Sequence, residues 1–141
     1  MRTLILREWR GRVPAAKGDA YLHFLRGKPS VDYAHTPGHR GTWILEERGP
    51  KVVEFVLLTL WESRRHIRAF AGPDISLARY YPEDPDFLLE MPPHVRHYEI
   101  KEQPMDTEPR FSWLARWLHK PLPAAAPAPA SKPVVRIAGL R

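Results

Sequence analysis

The sequence contains no cysteine, which excludes disulfide bonds and thiolate-ligated metal sites. It also lacks a long apolar run near its start, where only Leu4, Ile5 and Leu6 are consecutive apolar residues. Three residues are too few for the core of a signal peptide or for a membrane span. A glycine-rich phosphate loop and a Gly-x-Ser-x-Gly elbow are absent as well. We therefore expect a cytoplasmic protein without P-loop or serine-nucleophile chemistry.

Acidic residues are missing from the last part of the chain. Residues 109–141 contain six Lys and Arg and no Asp or Glu, which accounts for the whole net charge of +6. The preceding 108 residues are therefore neutral overall, with 16 basic and 16 acidic residues. We expect no specific nucleic-acid partner for the neutral part, and any anionic partner should meet the tail.

The most apolar stretch is Val52 to Trp61, in which only Glu54 and Thr59 are polar. Its length and its β-branched and aromatic residues predict a strand. A strand with one wet face alternates apolar with polar residues, whereas this one is apolar on both faces. Both of its faces should therefore be buried.

The other predicted elements place this strand third in a β-α-β-β-α-β order. Pro14 suits the first turn of a helix, and Gly49-Pro50 predicts a hairpin between the second and third strands. Ser63 is a suitable N-cap, Thr36 to His39 has the pattern of a type II turn, and Asp74 should begin a further short helix. The predicted strands are 4–13, 41–48, 52–61 and 94–101, with helices over 14–26 and from Ser63 to Ala71, and a loop over 32–40.

This order is typical of a ferredoxin-like α+β fold, in which both helices cover one face of a four-stranded antiparallel sheet. The opposite face would remain bare although the third strand is apolar on both sides. We therefore expect a homodimer in which two sheets pack face to face as a dimeric α/β barrel. The predicted domain spans residues 1–103.

Two segments follow the predicted domain. Residues 104–120 should form an amphipathic helix, and residues 121–141 a Pro/Ala-rich basic tail that is flexible. The basic, tryptophan-bearing stretch Phe111 to Lys120 has two interpretations. It could lie on an anionic membrane or nucleic acid, or it could dock on the domain or its partner. We favour docking, because ten residues are few for membrane anchoring.

Several of these segments together resemble the antibiotic biosynthesis monooxygenase family of dimeric α/β-barrel proteins. They are Leu60-Trp61-Glu62-Ser63, the helix ending at Gly72, the stretch from Ala78 to Asp84, and the strand from Val95 to Ile100. The resemblance covers about residues 3–101 and implies the same dimer. It also implies that Trp61 lines a substrate pocket, as the matching tryptophan does in oxygenating members.

The haem-degrading branch of that family has different requirements. It uses a histidine late in the second helical region, where this chain reads Ser76 to Tyr81 without histidine. It also uses an asparagine on the first strand, where this chain offers Glu8. The resemblance therefore does not imply haem degradation, and we expect no cofactor.

The expected topology gathers one group of side chains at a single end of the sheet. We expect the first and third strands to be parallel, so that Trp61 lies near the end of the first strand and near the starts of the second and fourth. A cationic end with aromatic walls suits an electron-rich ring or an enolate. The residues expected there are Trp61, Arg10, Arg12, Arg40, Trp43, His94, Arg96 and His97.

The function that this grouping indicates is cofactor-independent oxidation of a small aromatic molecule or quinol. A base would remove a proton, arginines would hold the anion, and the anion would give an electron to O₂. We expect the catalytic residues to be His97, His94 and Arg10, and the substrate pocket to be formed by Trp61, Trp43, Arg12, Tyr80 and Tyr81, with no metal.

The alternative is a non-catalytic dimer that binds a small molecule or regulates a partner. Trp61 is as often a core aromatic as a pocket wall, and Tyr80-Tyr81 commonly fasten a helix end to a sheet. His94 and His97 are three apart on a strand, so they face opposite sides and cannot form a metal pair. Pro82 and Pro85 predict that the acidic cluster Glu83, Asp84 and Asp86 is a solvated turn.

Overall fold

The computed structural model describes residues 3–103, which form a four-stranded antiparallel sheet with its helices packed on one face. The strand order is β2-β3-β1-β4, which confirms the α+β, ferredoxin-like prediction. No helix in residues 3–103 is long and apolar enough to cross a membrane. The elements are β1 (Ile5–Pro14), α1 (Gly18–Arg26), α2 (Lys28–His35), β2 (His39–Arg48), β3 (Val52–Trp61), α3 (Arg64–Ala71) and β4 (Arg96–Glu99), with 3₁₀ turns at Ala15–Lys17 and Asp84–Asp86.

Strand β3 has the bounds that its apolar pattern predicts. Every second side chain, from Val53 to Trp61, is buried beneath the helices. The alternate side chains, including Val56 and Leu58, lie half-buried on the opposite face, which no element in residues 3–103 covers. We call this second surface the open face.

Strands β1 and β3 are antiparallel, so the expected parallel pairing is wrong. Ile5 pairs with Trp61 at one end, and Val13 pairs with Val53 at the other. In this topology the crossover helices make β1 parallel to β2, and the hairpin then reverses the chain into β3. The last residues of β1 and of β3 therefore lie at opposite ends of these strands. Arg12, near the end of β1, is consequently far from Trp61 at the end of β3.

Three local signals of the sequence are confirmed. The Ser63 side chain accepts a hydrogen bond from the His66 N–H and caps α3. Gly38 has φ of 88°, and the His39 N–H donates to the Thr36 carbonyl at 3.2 Å, as in a type II turn. The Gly49 N–H donates to the Val52 carbonyl at 2.8 Å and closes the predicted hairpin.

Other segments differ from the prediction. Pro14 ends β1 and does not begin a helix. Residues 32–35, which the sequence predicts to be loop, form the second half of α2, and this helix is anchored by the buried Pro29 and Tyr33. No helix begins at Asp74, because the backbone there bonds to a distant segment. The Ala78 N–H donates to the Pro93 carbonyl at 2.8 Å. Residues 72–95 thus form an extended flap over the helix-covered face.

The predicted helix over 104–120 and the predicted tail over 121–141 lie outside the described residues. Their docking therefore stays a prediction.

A small aromatic cavity as the candidate functional site

A small cavity lies between the helix-covered face of β1 and β3, the helices and the flap. Its volume is about 20 Å³, which is the space of a single water molecule. Aromatic side chains and two arginines dominate its walls. The lining residues are Arg7, Trp9, Tyr21, Leu25, Pro29, Tyr33, Leu57, Phe70, Arg79, Tyr80, Tyr81, Asp84 and Val95.

Tyr80 closes the cavity from the flap side. Its ring meets Trp9 edge-on with centroids 6.3 Å apart, and the Trp9 Nε1–H donates to the Tyr80 hydroxyl at 3.4 Å. The same hydroxyl donates to the Pro92 carbonyl at 2.6 Å, and this bond fixes the position of the ring within the flap. Displacing this one ring would therefore enlarge the cavity.

Arg7 brings a buried positive charge to the cavity wall. It points to the helix-covered side of β1 and its residue surface is only 3% exposed. The guanidinium Nη1 donates to the Ile75 carbonyl at 2.5 Å, and Nη2 donates to the Leu77 carbonyl at 2.9 Å. Burial lowers the pKa of Arg7 from its usual value. These bonds fix the guanidinium between the sheet and the flap.

His97 lies beside Arg7 on the same face of the sheet. Its Nε2 is 3.0 Å from the Arg7 Nη1, and because a guanidinium only donates, Nε2 accepts this bond. Burial, with the charges of Arg7 and Arg64, lowers the pKa of His97 to about 4. The imidazole is therefore neutral at pH 7, and its basic nitrogen is occupied by Arg7.

Asp84 is the one carboxylate of residues 3–103 that lines the cavity, and it is only 4% exposed. Its Oδ1 accepts from the Tyr21 hydroxyl at 2.8 Å, and its Oδ2 accepts from the Tyr81 N–H at 2.6 Å. Burial raises the pKa of this carboxyl, and Glu83 adds to the rise. The expectation of a solvated acidic turn is thus wrong for Asp84, while Glu83 and Asp86 are exposed.

Arg79 and Tyr81 form the outer wall of the cavity. The Arg79 guanidinium lies over the rings of Phe70 and Tyr81, at 4.7 and 5.1 Å from their centroids. Asp32 binds both groups, because it accepts from the Tyr81 hydroxyl at 2.8 Å and lies 3.5 Å from the Arg79 Nη2. The outer wall is therefore cationic and aromatic, and α2 supplies the acid that orients it.

Trp61 packs in the core and does not line this cavity. Its side chain is 0% exposed and stacks at an angle on Tyr33 and Phe70. The indole N–H donates to the Thr59 hydroxyl at 2.8 Å, which satisfies its one polar atom. The space around Trp61 is therefore filled by the chain's own side chains.

The remaining site residues that the sequence suggested are divided between the two faces of the sheet. Trp43, Arg10 and Arg12 lie on the open face, and His94 is exposed beside it. Tyr80 and Tyr81 are in the cavity wall, whereas His97 touches that wall only through Arg7. The structure therefore does not bring the suggested histidines together with Trp61.

Several wall residues were missed by the sequence reasoning, because the facing of β1 was not resolved. Alternation along β1 could have found Arg7 and Trp9, since both share the parity of the apolar Ile5 and Val13. No local pattern marks Asp84, whose burial depends on the distant Tyr21. Within residues 3–103 no group of three or more His, Cys, Asp or Glu is placed to hold a metal ion.

The fold and the cavity define a ferredoxin-like α+β protein with a candidate binding site between the sheet and its helices. No family model matches the chain, and no curated protein is detectably similar to it. Solved structures do share its fold. A protein of unknown function from Nitrosomonas europaea has 17% identity and a TM-score of 0.54, and the match covers 73% of this chain and 93% of the other.

A second similar structure is a putative antibiotic biosynthesis monooxygenase from Nitrosomonas europaea. It has 18% identity and a TM-score of 0.52, over 71% of this chain and 91% of the other. The resemblance to antibiotic biosynthesis monooxygenases is thus confirmed as a likeness of fold. At this identity the likeness does not extend to activity.

Proposed function

We propose that this protein binds a small aromatic molecule in the cavity and oxidises it with O₂ without a cofactor. The observation that supports the proposal is the composition of the wall, in which aromatic rings surround a carboxylate and two guanidinium groups. Rings favour a flat substrate, and the cations favour the anion that forms when it loses a proton.

Asp84 is the proton acceptor in this proposal. Its raised pKa makes it a stronger base than an exposed carboxylate, and each carboxylate oxygen retains a lone pair beyond its present hydrogen bond. His97 is less suitable, because Arg7 occupies its basic nitrogen. The proposed base thus differs from the histidines that the sequence suggested.

The proposed reaction converts an activated ring carbon into a carbonyl, namely the CH₂ group of an anthrone or the CH₂ group in the keto form of a naphthol or hydroquinone. Asp84 takes one proton, and the resulting enolate gives an electron pair to O₂ and forms a carbon–oxygen bond. The peroxide oxygen takes up a proton, and loss of water then leaves the C=O group. One oxygen atom enters the product and the other leaves as water, so the substrate itself supplies all the electrons.

Substrate entry requires the flap to move. A cavity of about 20 Å³ is far smaller than the pockets that normally hold a ligand. The hydrogen bond that holds Tyr80 against Trp9 is long, at 3.4 Å, and should therefore break easily. We propose that the ring of the substrate replaces Tyr80 against Trp9.

The alternative function is binding without catalysis. It is favoured by the same small volume and by the hydrogen bonds that already engage Asp84 and His97. The two functions differ in one observable property, which is consumption of O₂ by the bound complex.

Oxygen uptake by purified, metal-free protein with a panel of hydroquinones, naphthols and anthrones tests the oxidation. We expect Asp84→Asn to reduce uptake at least about 100-fold, which is the usual contribution of a general base. Quenching of tryptophan fluorescence should still report ring binding by this variant, and Trp9→Phe should weaken that signal. The matched control is the exposed Asp86→Asn, which should oxidise as the wild type does.

Ring binding by the wild type without any uptake would contradict the oxidation and leave the binding function. Equal uptake by wild type and Asp84→Asn would contradict the assignment of the base.

The open face supports a further part of the proposal, a homodimer. Trp43 and Leu45 are 49% and 43% exposed there, next to the half-buried Val56 and Leu58. A continuous apolar surface of this kind is typical of an interaction site. We propose that the open face of a second copy covers it.

Light scattering tests the dimer. We expect a wild-type mass of twice 16.3 kDa at micromolar concentration, and 16.3 kDa for Leu58→Arg, because the charge would be buried between the sheets. Val31→Arg changes an exposed apolar residue of α2 and should remain dimeric. A monomeric wild type would contradict the proposal.

A further inference from the structure

Arg7 is a buried cation that has no acidic partner among the described residues. Among residues 3–103, its three side-chain hydrogen bonds go to two backbone carbonyls and to the neutral His97, and no carboxylate lies within ion-pair distance. Burying an unpaired charge is unfavourable unless a counter-charge is supplied. By contrast, Arg10 and Arg48 are exposed, and each forms an ion pair with a glutamate.

The surroundings of Arg7 add to the positive charge. Arg79 shares the same cavity wall, and its partner Asp32 lies on the outer side. The one carboxylate of the wall, Asp84, is engaged with Tyr21 and Tyr81. No group in this part of the chain therefore neutralises Arg7, and an anion entering the cavity would meet an uncompensated guanidinium.

The hydrogen-bonding capacity of Arg7 indicates which anion fits. A guanidinium has five N–H donors, and three are used, two on Nη1 and one on Nη2. The Nε–H and one hydrogen of Nη2 remain without an acceptor in residues 3–103. Two donors match the two oxygens of a carboxylate, which guanidinium groups commonly bind in a bidentate manner.

We propose that Arg7 is a specificity-determining residue that binds a carboxylate of the substrate, so that the protein accepts an aromatic acid in preference to a neutral ring. The proposal rests on the ring binding of the proposed function, but not on the oxidation. The carboxylate completes the ion pair that Arg7 lacks, and the ring lies against Trp9.

The competing explanation is that Arg7 serves only as a clamp, which holds the flap through the carbonyls of Ile75 and Leu77. A clamp would affect folding and the binding of every ligand equally. A carboxylate site would instead distinguish a charged ligand from a neutral one of the same shape.

The test compares the affinities of 2-naphthoate and its neutral isostere 2-naphthamide at pH 7, measured by tryptophan quenching on the full chain without turnover. We expect wild type to prefer 2-naphthoate by about 10- to 100-fold, the usual gain from charged hydrogen bonds. Arg7→Gln should remove this preference while leaving the affinity for 2-naphthamide unchanged. The control Arg12→Gln, an exposed arginine of the same strand, should keep it.

A second variant and a second measurement keep the proposal testable if the Arg7→Gln protein does not fold. Arg7→Lys keeps the charge without the bidentate fork, and we expect it to retain a preference several-fold smaller than that of wild type. In wild type, 2-naphthoate should also raise the pKa of His97 above about 4 by neutralising Arg7, as NMR titration of the imidazole would show, and 2-naphthamide should not.

Equal binding of the two ligands by wild type would overturn the carboxylate site and leave ring binding intact. Tighter binding of 2-naphthol than of 2-naphthoate would also overturn it, because the site would then prefer a neutral, hydroxyl-bearing ring to a carboxylate. The proposed oxidation can also fail by itself. A preference for 2-naphthoate, together with no oxygen uptake in the assay of the proposed function, would support the carboxylate site and contradict only the oxidation.

Discussion

Trp61→Ala is expected to reduce the free energy of unfolding by about 3–5 kcal/mol, the range found when large aromatic side chains are removed from cores. Trp61 is fully buried at the end of β3, where it packs against both Tyr33 and Phe70. The truncation would leave a cavity among side chains that are held by α2, α3 and the sheet. It would also remove the indole N–H, which donates a hydrogen bond to the Thr59 hydroxyl. Chemical denaturation of wild type and variant measures the loss.

Trp61→Phe is the matched control, because it keeps a ring and removes the indole N–H. We expect it to lose about 1–2 kcal/mol, which is less than the loss expected for the alanine variant. If Trp61→Ala were nearly as stable as wild type, but lost ring binding, Trp61 would belong to a ligand pocket as the family resemblance implies. The structure favours the opposite pattern, in which the main effect is a loss of stability, because Trp61 does not itself line the cavity.

The parts of the fold that could be predicted are those with local causes. The bounds of β3 follow from ten consecutive residues with one dominant character. The Ser63 cap, the turn through Gly38 and the Gly49 hairpin each depend on the hydrogen bonds or dihedral angles of a few adjacent residues. Such features need no tertiary information, and all of them are confirmed.

The incorrect predictions concern long-range partners. The segment Lys28–His35 has little apolar periodicity, and its helix is held by the burial of Pro29 and Tyr33 against other elements. Residues 74–78 contain helix formers, yet their backbone bonds to the far end of the flap, through Ala78 N–H to the Pro93 carbonyl and Val95 N–H to the Ser76 carbonyl. In both segments tertiary contacts override local propensity.

The candidate site was harder to predict than the fold, because its residues come from β1, the helices and the flap. A strand places neighbouring residues on opposite faces, so one error of parity exchanges Arg7 and Trp9 for Glu8 and Arg10. The antiparallel pairing of β1 with β3 also moves Arg10 and Arg12 away from Trp61. Tyr80 and Tyr81 were placed in the pocket by the sequence, and the structure has both in the cavity wall.

The second large effect is expected for Gly38→Ala, with a loss of about 2–5 kcal/mol in the free energy of unfolding. Gly38 has φ of 88°, and a side chain at such an angle is strained by about 1–2 kcal/mol. A Cβ on Gly38 would also lie 2.2 Å from Cγ and 2.5 Å from Cβ of His66. Rotation of the imidazole cannot relieve the second contact, so α3 or the turn must shift, which typically adds about 1–3 kcal/mol.

A double-mutant cycle separates these two causes. His66→Gly removes both the ring and the Cβ, so Gly38→Ala should cost about 1–2 kcal/mol in that background, which is the dihedral strain alone. Gly41→Ala, in the adjoining strand β2, is the matched control, because its added Cβ would meet nothing closer than the Trp43 ring at 3.9 Å. Independent, additive losses for Gly38→Ala and His66→Gly would show that the turn and α3 are not in contact. A strong coupling would instead show that the turn entering β2 and the helix leaving β3 pack as one unit, next to the end of the sheet where Trp61 is buried.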